Sequence, residues 1–311
     1  MDWILIFQLI ILLVLVGITA NLMSKGTEEL ERILGRGMTG GVILGVIYAL
    51  PETIMVIQAV LNGIYNFAIG SALGGNILLF TLGLGFISIF YYIKYRSKII
   101  RLDKDISIEY NSLLIATIIL AIAIMYGKLD FFLSFLLIVP YAYYIYKRYS
   151  YFVDGNVKKE EGSFKRSLTY LLIGGVSLIF LSKYFIITVV SVAKDLNMPL
   201  LLISILLTPI AAELEENLTA IKLVYDSPSD VTTAVMNFMG SKLENMTLLL
   251  SIIGLWQSIS LRSSFVYLLL ILVVTTITLE ILRDRNIKIN EGIALLGVYV
   301  ISITILLRLS A

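Results

Sequence analysis

The sequence contains no cysteine and no histidine. The first absence excludes a disulfide scaffold. Together they exclude Cys and His nucleophiles, imidazole general bases and zinc sites built on those ligands. Charge is scarce too: Asp, Glu, Lys and Arg make up 15% of the chain, against about 25% in a soluble domain. Proline is rarer still, with five residues in 311. A net charge of +2 gives no reason to expect nucleic acid as a partner. Hydrophobic side chains dominate instead, at 59% of residues and a mean hydropathy of +0.94. This composition excludes an ordinary soluble enzyme and a disordered chain, and leaves an all-α polytopic membrane protein with the lipid bilayer as its solvent.

A spanning helix needs about 20 mostly apolar residues. Ten stretches qualify: roughly 3–23, 38–61, 65–93, 107–126, 130–146, 167–193, 198–224, 231–259, 264–281 and 290–308. The first starts at Trp3 with no basic segment ahead of it, so it reads as a span rather than a cleaved signal. Seventeen of the 24 basic residues fall in the loops after spans 1, 3, 5 and 9. Those loops lie on one side if the count is ten, which places them in the cytosol and both termini outside, in the cell membrane. Tyr91, Tyr92 and Tyr95, with six tyrosines from Tyr141 to Tyr151, read as an interfacial aromatic belt.

The most polar stretch, around Tyr149–Arg166, divides five spans from five. Residues 1–149 form the first half, 150–166 a cytosolic linker and 167–311 the second half. Because five is odd, the halves run in opposite directions, an arrangement found in transporters whose site lies where broken helices meet at the midplane. Pro51 lies inside span 2 and Pro209 inside span 7, the matching span. Each frees backbone carbonyls in mid-helix. Acids follow both: Glu52 in span 2, and Glu213, Glu215 and Glu216 in span 7. An acid at bilayer depth costs about 2.5–3.5 kcal/mol on insertion scales, so four of them point to function. Carboxylates are hard oxygen ligands suited to divalent cations and to proton relay. On a helix, Glu213 shares a face with Glu216 and Asn217, and Glu215 points elsewhere. Spans 3 and 8 add small residues and neutral oxygens at matched places: Gly70, Ser71, Gly74 and Asn76 in one, Asn237, Gly240, Ser241 and Lys242 in the other.

These residues resemble the cation/calcium exchanger superfamily, which includes sodium/calcium and proton/calcium exchangers. Its members have ten helices in two inverted halves, with signature repeats on helices 2–3 and 7–8, about 38–93 and 198–259 here. The first signature reads G-T-S-L-P-E, then G-N-x-x-G-S-N. Leu50-Pro51-Glu52 matches L-P-E, and Gly70, Gly74 and Asn76 match the second element, with Ser71 nineteen residues after Glu52. In the other repeat, Asn237-Phe238-Met239-Gly240-Ser241 matches N-x-x-G-S. The departures are as specific. Tyr48 and Ala49 replace the Thr and Ser before L-P-E, Gly75 replaces the Ser before the last Asn, the second repeat lacks L-P-E, and Lys242 stands where it has its last Asn.

The resemblance implies a secondary antiporter, not an enzyme, exchanging a divalent cation, calcium, for sodium or protons by alternating access. It needs no cofactor, since the metal cation is cargo. Glu52 and Glu216 would be the central ligands, with Glu213 assisting Glu216 or rivalling it. Ser71, Asn76, Asn237 and Ser241 would give neutral oxygens, and carbonyls near Ala49 and Ala212 would complete the site. Lys242 would act as a fixed internal cation that replaces part of the sodium capacity, tilting the coupling towards protons; the alternative is that it snorkels to the surface. The competing functions keep the fold and change the cation, to magnesium, manganese or a monovalent ion, or lose exchange for a channel-like or regulatory role.

Overall fold

A computed structural model describes residues 2–34, 49–153 and 162–309. The first half of span 2 with Tyr48, Arg36, and the centre of the linker with Lys158 and Lys159 lie outside the described residues. The helices are α1 (Trp3–Leu34), α2 (Leu50–Leu61), α3 (Tyr65–Tyr95), α4 (Ser107–Tyr126), α5 (Phe131–Val153), α6 (Phe164–Asp195), α7 (Leu200–Ala212), α8 (Leu214–Asp226), α9 (230–256), α10 (Phe265–Leu282) and α11 (Ile289–Arg308). Among the described residues, six helices are long and apolar enough to cross a membrane: α1, α3, α4, α6, α10 and α11. Large apolar side chains line the outside of the bundle, such as Phe131, Phe132 and Phe135 on α5 and Leu172, Val176 and Phe180 on α6. That surface suits lipid and would be costly in water.

α1 continues eleven residues past its predicted end, and α5 and α6 also overrun theirs. Lys25, Arg32, Lys147, Arg148, Lys165 and Arg166 are therefore helical rather than in loops. The extension of α1 follows from its packing along α6. A Cβ added at Gly26 would lie 3.0 Å from the Ser167 carbonyl, and one at Gly174 3.0 Å from that of Thr19. Ser167 Oγ donates to the Gly26 carbonyl at 2.7 Å, and Arg166 meets Glu29 at 3.4 Å. This contact line carries both helices beyond the roughly 30 Å hydrocarbon layer.

Two short antiparallel pairs tie the helix ends together. β1 (Ile99–Arg101) pairs β4 (Asn286–Lys288), with Ile100 opposite Ile287. β2 (Lys128–Leu129) pairs β3 (Ile259–Ser260). The two pairs are alike in detail. Leu102 N–H donates to the Arg285 carbonyl at 2.8 Å, and Leu261 N–H to the Gly127 carbonyl at 2.9 Å. Both acceptor residues have positive φ, +60° and +77°. β1 and β3 each lead through a 3-10 turn, Lys104–Ile106 or Arg262–Ser264, into α4 or α10. Exchanging one half of the chain for the other turns each pair into its counterpart.

The helices are interrupted where the matched elements meet. α3 and α9 each contain a π-helical turn, Leu78–Gly83 and Asn245–Leu249, which hydropathy does not reveal. α7 gives way to α8 at Glu213, four residues after Pro209. Pro209 has no N–H to give the Ile205 carbonyl. α3 comes close at that point: a Cβ at Gly74 would lie 2.6 Å from the Ile205 oxygen, and one at Gly70 2.9 Å from that of Leu201. The Gly70/Gly74 spacing is thus a packing seam between α3 and α7.

Candidate cation site

α2 begins at Leu50 with Pro51 in its first turn, a position that tolerates a missing N–H. Glu52 follows, 1% exposed, and neither carboxylate oxygen has a hydrogen-bond partner in the protein. Its charged neighbours are Glu213, Lys242 and Glu216, brought from α7–α8 and α9. The start of α2, the α7–α8 break and α9 thus bring these four groups together at one place.

Lys242 is fully buried and does not snorkel. Its Nζ donates to Glu213 Oε1 at 2.6 Å, both side chains at 0% exposure. An isolated buried ammonium or carboxylate is strongly disfavoured, so each is the condition for the other. The pair also accounts for Gly75: a Cβ there would collide with both Glu213 oxygens. The departures at Gly75 and Lys242 are one structural change, a bare Cα making room for an ion pair. Glu216 is held differently. Ser241 Oγ donates to its Oε1 at 3.0 Å, and its Oε2 is shielded without a partner.

Neutral oxygens complete the neighbourhood. Ser71 is buried and its Oγ unpartnered. Asn76 spends its Nδ2 on Met246 Sδ at 2.9 Å and Thr275 Oγ1 at 3.0 Å, which leaves Oδ1 without a partner. Sequence reasoning missed Thr208, whose buried hydroxyl beside Pro209 is also unpartnered; its place just before a mid-span proline was the available signal. Two expected contributors differ. Asn237 is exposed and is not gathered into the buried group. The Ala49 carbonyl already accepts from Thr53 N–H at 2.9 Å and Thr53 Oγ1 at 2.8 Å. Glu215 points away, as helical geometry requires, into a cleft of about 460 Å³ lined also by Asn21 and Lys25.

Unpartnered oxygens on Glu52, Glu216, Ser71 and Asn76 are the hard-ligand chemistry that a divalent cation takes. Among the described residues, no three acids lie close enough to form a ready-made metal cage.

Other buried polar residues were read differently from the sequence. Arg148, counted among loop bases, is buried and holds Glu109 of α4, Nη2 to Oε1 at 2.5 Å. Tyr141 and Tyr144, expected in the interfacial belt, are buried as well. Tyr141 OH donates to Glu244 Oε2 at 3.0 Å. An acid three residues into an apolar span, at Glu109, was the signal available for the first pair.

The sequence model of the sodium/calcium exchanger protein family matches residues 4–149 and 166–308. A comparison with curated protein sequences gave no match. Among solved structures, the H+/Ca2+ exchanger CAX superposes with a TM-score of 0.78 at 20% identity, covering 98% of this chain and 86% of that one. Native YfkE gives 0.73 at 18% identity, over 96% and 91%. The sodium-calcium exchanger NCX_Mj, soaked with 2.5 mM Na+ and 0.1 mM Ca2+, gives 0.66 at 18%, over 98% and 99%. At these identities the likeness is one of fold.

Proposed function

The chain belongs to the sodium/calcium exchanger protein family, and from that premise we propose that it is an antiporter moving calcium across the cell membrane in exchange for protons. It is an integral membrane protein of a cation-exchanging family, not an enzyme. Ten spans in two inverted five-helix repeats, 1–149 and 167–311 about the linker 150–166, are supported by the two interchangeable strand pairs and by the matched π-turns. Alternating access then follows from one half rocking against the other, with both termini outside.

The observation that carries the reading is the unpartnered Glu52 carboxylate facing Glu216 and the Lys242–Glu213 pair. Glu52 and Glu216, one per half, are the calcium ligands. Ser71, Asn76 and Ser241 assist with neutral oxygens, and Asn237 lies one turn further out on the approach. Glu213 is not the second ligand, because Lys242 neutralises it. The ammonium stands where a second cation would sit, so sodium finds no carboxylate left, and protons on Glu52 and Glu216 return the site across the membrane.

Calcium uptake into proteoliposomes tests this directly. Uptake is expected under an outward proton gradient, not under an outward sodium gradient, and Glu52→Gln should show none above empty vesicles. Uptake driven by sodium alone would overturn the coupling. Folded protein inert with calcium under both gradients would overturn the substrate.

A further inference from the structure

Asn76, fully buried on α3, serves as a neutral ligand only if its oxygen faces the cation. Its amide has an acceptor at one end and a two-proton donor at the other, so a half-turn of the side chain would present N–H groups instead. α3 does not choose between these orientations. Among the described residues, the amide's hydrogen bonds go to Met246 in the π-turn of α9 and to Thr275 of α10, both in the second half of the chain. Both partners are buried, and both act as acceptors. A thioether has no proton to give. Thr275 has one, and it goes to the Ile271 carbonyl, a turn back along α10, at 2.8 Å. Thr275 Oγ1 therefore turns a lone pair to Asn76 Nδ2 at 3.0 Å, and Met246 Sδ does the same at 2.9 Å. Both Nδ2 protons are thus spent, and Oδ1 is left buried and unpartnered. α10 is itself held against α3: Thr278 donates to the Phe80 carbonyl, in the π-turn of α3, at 3.1 Å.

Turned over, the Asn76 oxygen would face a sulfur with no proton and a hydroxyl that has one only by abandoning Ile271. A buried polar group left unmatched in that way is costly. We infer that Thr275 is a positioning residue for calcium: it holds the Asn76 amide with its nitrogen turned away and its oxygen presented to the cation. The inference rests on the reading of Asn76 as a cation ligand given above. Calcium takes oxygen ligands, and an N–H in the same place repels it. Loss of the orientation therefore weakens calcium binding and leaves the movement of the two halves alone. Met246 supports the same orientation as the weaker acceptor.

Calcium uptake into proteoliposomes, followed over a range of calcium concentrations, separates KM from the maximal rate. KM does not depend on how much of a variant is folded. Thr275→Val keeps the branched shape and removes the acceptor. It should raise KM for calcium about tenfold, with the maximal rate close to wild type. Thr275→Ser keeps the hydroxyl and should return KM to the wild-type value. Thr276→Val should change neither quantity, since that exposed hydroxyl bonds the Leu272 carbonyl of its own helix. Asn76→Ala should raise KM at least as far as Thr275→Val, and the two together no further, because no amide remains to orient. An unchanged KM in Thr275→Val, a rise that Thr275→Ser shares, or a rise that adds in full to that of Asn76→Ala would overturn the inference. The underlying readings fail differently. A wild-type KM in Asn76→Ala removes Asn76 from the site, and wild-type protein that takes up no calcium removes calcium as the substrate; the inference falls with either.

Discussion

The two halves of the molecule present their acids in opposite ways. In the first half Glu52 stands alone, with both oxygens unpartnered. In the second half α9 supplies a partner to each acid, Lys242 to Glu213 and Ser241 to Glu216. The two short strand pairs that tie the halves together carry like backbone bonds, Leu102 to Arg285 and Leu261 to Gly127. The site thus carries a bare carboxylate from α2 and a pre-neutralised one from the α7–α8 junction. The difference in charge sits in a few side chains, Gly75 and Lys242 above all.

Removing one partner of the buried pair should break that comparison most severely. Lys242→Met leaves Glu213 charged and alone, and should cost about 3–5 kcal/mol, as other broken buried pairs do. Lys242→Met with Glu213→Gln should recover most of the loss. Chemical unfolding of the single and double variants in detergent measures the coupling, and additive losses would show that the pair is not mutually dependent. Gly75→Ser, which restores the family's residue, should come next. Its side chain meets the Glu213 carboxylate, so overpacking should cost about 1–3 kcal/mol, read by the same unfolding curves. The smallest effect belongs to an exposed control. Lys288 and Glu291 also form an ion pair, at 3.1 Å, but both are solvated, and Glu291→Gln should leave the unfolding midpoint unchanged.

Much of this was legible in the sequence because lipid imposes simple rules. Apolar runs, the scarcity of charge and the pairing of Pro51 with Pro209 marked the membrane helices and the acids worth attention. Glu52 needed only its L-P-E context. The second half was harder. Whether Glu213 or Glu216 faces inward depends on where the helix breaks, and Pro209 does not fix that: the break falls a turn later, at Glu213. The fate of Lys242 depended on whether a carboxylate 29 residues away lay within reach, which hydropathy cannot say. Arg148 was misread for the same reason. Its partner Glu109 is 39 residues distant, and a base near a span end is normally solvated. Side-chain partnerships across helices, unlike spans, leave little trace in one sequence.

The claim that Lys242 stands in for a bound cation is tested most directly by the melting of two proteins in two salts. Wild type and Lys242→Asn would be heated in detergent in sodium chloride and in choline chloride at equal ionic strength. A ligand that binds only the folded state raises its stability. The account predicts that wild type melts alike in both salts, and that Lys242→Asn, destabilised in choline, is restored by sodium as the ion takes the place of the ammonium beside Glu213. Sodium stabilising the wild type, or failing to stabilise Lys242→Asn, would contradict it.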